Sequence, residues 1–245
     1  MVTHPFTSDR VEALRQRVEA SPYADVQDSP DNLLRFQMMR AKIIGFLRPV
    51  SETFSLYPAS DVSLPARYAR AIAYYRRPDF PRATLEIQAL IDENPSNPFF
   101  QELMGQMLYE RGMAAQSLPF HRRSLELLPN EPLFQVNLAR ALISAGGRPN
   151  LEEAVALLTA ATHTEADNAL AWREMSVAQG ELGDQGLALL ASAEQYFVGG
   201  NLPMAQNFAE RARRTLTPQS VSWRRADDLV MLTRNGLRDV ADQRP

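Results

Sequence analysis

Residues 98–132 read PFFQELMGQMLYERGMAAQSLPFHRRSLELLPNEP, and this stretch decides the fold. Phe99, Leu103, Met104, Met107 and Leu108 recur at the three- and four-residue spacing of a helix with one apolar face. Leu118, Leu125 and Leu128 carry a helical spacing on beyond Gly112. Gly112 is a natural stop for the first helix, and Pro129 closes the second because proline cannot continue a helix. Gly105 and Ser117 are small residues inside the two helical patterns, where helices can approach closely. The stretch is a helical hairpin.

The hairpin repeats in both directions. Ala71, Gly105 and Ala139 follow one another at intervals of 34, as do Ala83 and Ser117, and Pro95 and Pro129. Thirty-four residues is the tetratricopeptide period. Ser117 to Ala154 is 37, so three residues are inserted after Gly146, and Gly147-Arg148-Pro149-Asn150 predicts an enlarged loop there. The interval of 34 returns between Ala154 and Ala188. Close helix contacts are expected at Ala71, Gly105, Ala139 and Ser176 on first helices, and at Ala83, Ser117, Ala154 and Ala188 on second helices. Trp172 stands where the repeat has its aromatic residue. The expected helices are 66–76 and 80–93, 98–111 and 114–128, 132–145 and 151–163, and 168–182 and 185–198. A helix at 201–215 follows, with 185–198 pairing on both sides. A closing helix at 218–235 is capped at Thr217-Pro218, and a frayed tail begins at Gly236. The fold class is therefore all-α, a right-handed superhelical array of antiparallel helical hairpins. It divides into 1–63, a helical N-terminal segment; 64–216, the repeats; and 217–245, the closing helix and tail.

The first 63 residues do not follow the repeat. Ser8 or Asp9 can cap a short helix to about Ala20. From Asn32 to Leu47 apolar residues cover so wide an arc that most of this helix is expected to be buried, as a cap on the array or against a neighbouring domain. Thr3-His4-Pro5-Phe6-Thr7-Ser8-Asp9-Arg10-Val11 resembles the segment that closes the catalytic domain in gluzincin zinc metallopeptidases of the BepA and HtpX kind. Tyr57-Pro58-Ala59-Ser60-Asp61 through Pro65-Ala66-Arg67-Tyr68-Ala69-Arg70-Ala71-Ile72-Ala73-Tyr74-Tyr75-Arg76 is similar to the junction between that domain and its tetratricopeptide tail. The resemblance implies an exported, periplasmic, zinc-dependent protein concerned with outer-membrane protein assembly and quality control. It also places His4 near the zinc of the parent enzyme.

The catalytic part of that family is missing from this sequence. HExxH needs two histidines one helical turn apart and a glutamate as general base. His4, His121 and His163 are far apart, and no cysteine is present. No cofactor is expected in this chain, with zinc belonging to the parent family, and no catalytic or metal-ligating residue is assigned. His121 and His163 are expected to serve as surface or hairpin-packing residues. Glu152 and Glu153 read as first-turn acids that complement a helix dipole. Arg122-Arg123, Arg211-Arg213-Arg214 and Arg224-Arg225 read as charged helix faces. The net charge is −3, which gives no support to a nucleic-acid partner. No apolar run is long enough to span a membrane.

Function is therefore expected in a binding surface along the first helices. Transfer by period selects Tyr68, Ile72, Tyr75 and Arg76; then Phe99, Glu102, Gln106 and Tyr109; then Val136, Arg140 and Ile143; then Arg173 and Val177. The expected partners are proteins or peptides, including the chain's own peptidase domain and outer-membrane assembly proteins. The expected role is the recruiting tail of a periplasmic metallopeptidase. A free-standing adaptor or co-chaperone, which would be cytoplasmic, is the alternative. An active metallopeptidase would require the missing upstream domain.

Overall fold

The structure is a computed structural model that describes residues 7–242. Its described residues form helices and connecting turns, with no strand among them. The chain divides into two compact units, Met1–Arg76 and Arg77–Pro245.

The N-terminal unit holds α1 (Thr7–Glu19), α2 (Pro30–Leu47), α3 (Val50–Leu56) and α4 (Leu64–Arg76). The Ser29 hydroxyl caps α2 by accepting from the Asn32 N–H at 3.2 Å, with Pro30 in the first turn. The α2 helix meets α4 along its smallest side chains. A Cβ added at Gly45 would lie 3.0 Å from Ile72 Cβ, so any side chain there would push Ile72 back by a few tenths of an ångström. Two arginines of α4 tie the unit together. Arg70 is buried and donates to the carbonyls of Pro58 and Asp61 at 2.8 and 2.7 Å. Arg76 donates to the carbonyls of Gly45 and Arg48, satisfying the C-terminal end of α2. The short helix α3 was not expected from the sequence.

The expected burial of α2 is overturned. Only Ala41 and Gly45 are buried, and Leu33, Phe36, Met39, Ile43 and Leu47 are exposed. The helix is buried along one narrow edge, with Met38, Ile44 and Phe46 half-buried, and turns the other large side chains outward.

The second unit begins with α5 (Phe80–Glu93). It continues with α6 (Pro98–Glu110), α7 (Ala114–Leu127), α8 (Pro132–Ala145), α9 (Arg148–Thr164), α10 (Ala169–Leu182) and α11 (Gln185–Val198). It ends with α12 (Leu202–Thr215) and α13 (Val221–Asp242). Each helix from α6 onward packs on the next, and α11 packs on both α10 and α12. Gly112, Gly146 and Gly183 end α6, α8 and α10 with φ of +76°, +73° and +90°, a left-handed stop that a side chain would strain. Gly105 and Ser176 make the close approaches that the spacing implied. The His121 ring lies against Gly105, and the Ser176 hydroxyl donates to the Ala188 carbonyl at 2.9 Å. Between α8, α9 and α10 the core is continuous, with Leu138, Leu142, Leu158 and Met175 in one apolar cluster. A second cluster joins Ala193, Ala209, Leu229 and Val230 across α11, α12 and α13.

Three local expectations are corrected. The inserted residues after Gly146 do not enlarge a loop. They lengthen α9 to 17 residues where α7 has 14, because Arg148-Pro149 suits a first turn. Glu152 and Glu153 consequently lie beyond the first turn and are held by Arg148 and Arg122. The closing helix starts at Val221, capped by the Ser220 hydroxyl on the Trp223 N–H, and runs through the expected frayed tail to Asp242.

Candidate functional site: the open face of the first helices

The helices α6, α8 and α10 follow caps at Asn97, Glu131 and Asn168, which lie 34 and 37 residues apart. Equal distance from the cap means equal orientation on the helix. The second residue of each helix is therefore equivalent: Phe99, Leu133 and Leu170. All three are large, apolar and exposed, at 43%, 45% and 36%. Residues seven positions on share their face, since two helical turns take about seven residues. These are Gln106, Arg140 and Val177, which are half-buried or exposed. Three first helices thus present one open stripe each, in register.

Polar side chains cross between these helices beside the stripe. The Asn137 amide of α8 donates to Glu102 of α6 at 3.3 Å. The Arg140 guanidinium lies 4.8 Å from the centre of the Tyr109 ring, a cation–π contact with α6. On its other side, Arg140 Nε is 3.8 Å from Glu174 of α10, too far for a hydrogen bond. That Nε is buried and makes no hydrogen bond among the described residues. Glu174 instead receives Arg173 at 2.6 Å. Burial raises the Glu110 carboxyl above its ordinary range, against the opposing pull of Arg140.

The predicted residues separate into exposed and structural groups. Phe99, Gln106, Tyr109, Arg140, Arg173 and Val177 are at least partly accessible on α6, α8 and α10. Glu102, Val136 and Ile143 are corrected: they are buried, because their positions turn toward the neighbouring first helix. Leu133 and Leu170 were missed, although the same 34- and 37-residue steps from Phe99 lead to them. In the N-terminal unit Tyr68 and Ile72 are also corrected, being core residues rather than ligand contacts. Arg76 is a clamp on α2, and Tyr75 is half-buried. His4 lies outside the described residues.

The two described histidines lie apart. His121 is buried against Gly105, and His163 is exposed near the end of α9. Among the described residues no group of three acidic or histidine side chains could hold a metal. Desolvation depresses His121 to about 4, so its imidazole is neutral.

Comparison with known proteins places this geometry. The chain is similar to the solved structure of YrrB, a TPR protein with an unusual peptide-binding site, at a TM-score of 0.56 and 17% identity over 71% of this chain and 90% of that one. It is similar also to MamA MSR-1 C2, with a TM-score of 0.55 and 16% identity over 68% of this chain and 94% of that one. The chain is a tetratricopeptide-type helical solenoid. No protein-family model matches it. By sequence it is 24% identical to the beta-barrel assembly-enhancing protease of Escherichia coli K12, over 93% of this chain and 46% of that protein. The Yersinia pestis protein of the same name is 25% identical over 84% of this chain and 42% of its own length. A putative beta-barrel assembly-enhancing protease of Vibrio cholerae is 24% identical over 96% and 49%. The chain spans about half the length of the curated relatives it matches.

Proposed function

We propose that this chain is the protein-interaction part of a periplasmic zinc metallopeptidase system for outer-membrane protein assembly and quality control, presenting clients or assembly partners to a protease domain. The observation that carries the reading is the open stripe led by Phe99, Leu133 and Leu170, exposed apolar residues at one position of three successive hairpins. Solenoids of this class use such repeated faces to hold protein ligands. The similarity to proteins named as beta-barrel assembly-enhancing proteases supports this reading. The outward stripe of α2, Phe36, Met39, Ile43 and Leu47, supplies a surface for docking on the protease domain. Chemistry in this reading belongs to the protease domain, and the chain's own residues bind and orient. No helix among the described residues is long and apolar enough to cross a membrane.

Site-specific photo-crosslinking in cells tests this. A benzophenone side chain at Met39 should capture a metallopeptidase domain, and one at Val177 should capture envelope proteins under assembly. Capture of cytoplasmic chaperones from both positions would instead establish the adaptor reading.

A further inference from the structure

The outward face of α13 is complementary to itself. The helix packs on α11 and α12 through Ala226, Leu229, Val230 and Thr233, which are buried. On the opposite side Val221, Arg224, Asp228 and Met231 follow one another at steps of three, four and three, the spacing of a single seam along a helix. All four are exposed, Val221 at 76% and Met231 at 54%, and the exposed Leu232 lies beside them. The last element of a solenoid ordinarily turns a polar face to water. Here the last described helix sets three large apolar side chains on it.

The charges on this seam are not spent within the chain. Their neighbours are: Arg225 is held by Glu194, and Asp227 by Arg213. Among the described residues neither Arg224 nor Asp228 makes an ion pair, although Asp228 lies in the field of Arg225. Along the helix the seam reads apolar, positive, negative, apolar. Its two charges cancel, so it offers nothing to draw a strongly ionic surface. Position 226 is the midpoint of 221 and 231, and also of 224 and 228. An antiparallel copy centred there sets Val221 against Met231 and Arg224 against Asp228, each pair made twice. A parallel copy would set each charge against its own kind, so the pattern selects one orientation.

We propose that α13 pairs with α13 of a second copy of this chain in an antiparallel, two-fold symmetric dimer. Val221 and Met231 close the two ends of the seam, and reciprocal Arg224–Asp228 pairs fix its register at the centre. The seam covers about 15 Å of helix at 1.5 Å per residue. A contact of that length is at the small end of specific interfaces, so the dimer is reversible and depends on concentration.

Analytical ultracentrifugation of the full chain, from about 1 to about 200 μM, tests this, with the mass expected to climb from one chain toward two. Arg224→Glu and Asp228→Arg, each alone, bring like charges face to face and should weaken self-association about tenfold or more. Far-ultraviolet circular dichroism should be unchanged, because both side chains are exposed. An equimolar mixture of the two variants restores both pairs across the interface, as does the double variant Arg224→Glu with Asp228→Arg, so both should associate as the natural chain does. A folding defect in either variant could not produce recovery on mixing. Met231→Ser should also weaken association, without any change in charge. A single-chain mass at every concentration, self-association indifferent to the two reversals, or no recovery in the mixture would overturn the proposal.

Discussion

Acidification should destabilise this chain through one histidine, and the size of the effect can be worked from the fold. The His121 ring sits between α6 and α7, where a Cβ on Gly105 would come within 2.8 Å of it. The residue is 1% exposed, and Nδ1 makes no hydrogen bond among the described residues. Burial is the main cause that lowers its pKa from 6.5 to about 4. A depressed pKa means that the folded state keeps the ring neutral while the unfolded chain takes up a proton. The stability is fully present above pH 6.5 and is lost as pH falls through the window down to about 4. A shift of two and a half units at 1.36 kcal/mol each gives about 3 kcal/mol. Urea unfolding followed by circular dichroism, at constant ionic strength between pH 7.5 and 4, measures it. His121→Phe keeps a ring of similar shape and cannot titrate, so its stability should fall about 3 kcal/mol less over that window. Parallel curves for the two proteins would show that the buried imidazole is not the titrating group, and the reasoning would fail. Glu110 acts in the opposite sense, since a raised carboxyl pKa contributes stability at low pH that is lost as pH rises, and it is common to both proteins.

Three further outcomes follow from other contacts. Gly105→Ala should cost about 1–3 kcal/mol by urea unfolding, because the new methyl would lie 2.8 Å from the buried His121 ring and something must shift. Arg225→Met should leave Glu194, whose side chain is 5% exposed, without its two-bond partner. A loss of about 3 kcal/mol is expected, at the low end of a broken buried pair because Arg225 is itself half in water. Proteolysis should then cut first near α13, and adding Glu194→Leu should restore resistance. Arg76→Met should remove the donor that serves the carbonyls of Gly45 and Arg48, at a cost of about 1–2 kcal/mol. Hydrogen exchange should quicken at the end of α2, whereas unchanged exchange there would mean the clamp is not holding the helix.

The sequence by itself determined the number and order of the hairpin helices. Small residues at Ala71, Gly105 and Ala139 and stops at Gly112, Gly146 and Gly183 are local requirements of close packing and left-handed termination, so they are written where they act. It also contained the position of the open stripe, since Phe99, Leu133 and Leu170 obey the same intervals, but not which helical face stays open. Val136 and Ile143 sit only part of a turn away and are buried, a difference of angle that depends on how the neighbouring first helix approaches. The N-terminal unit shows the limit most plainly. Ala41 and Gly45 do not look like a contact edge beside Phe36, Met39, Ile43 and Leu47, yet α4 chose the small side chains and left the large ones outside. Periodicity states which residues share a side of a helix; only the tertiary structure decides which side meets a partner, because that depends on the shape of the surface it packs against.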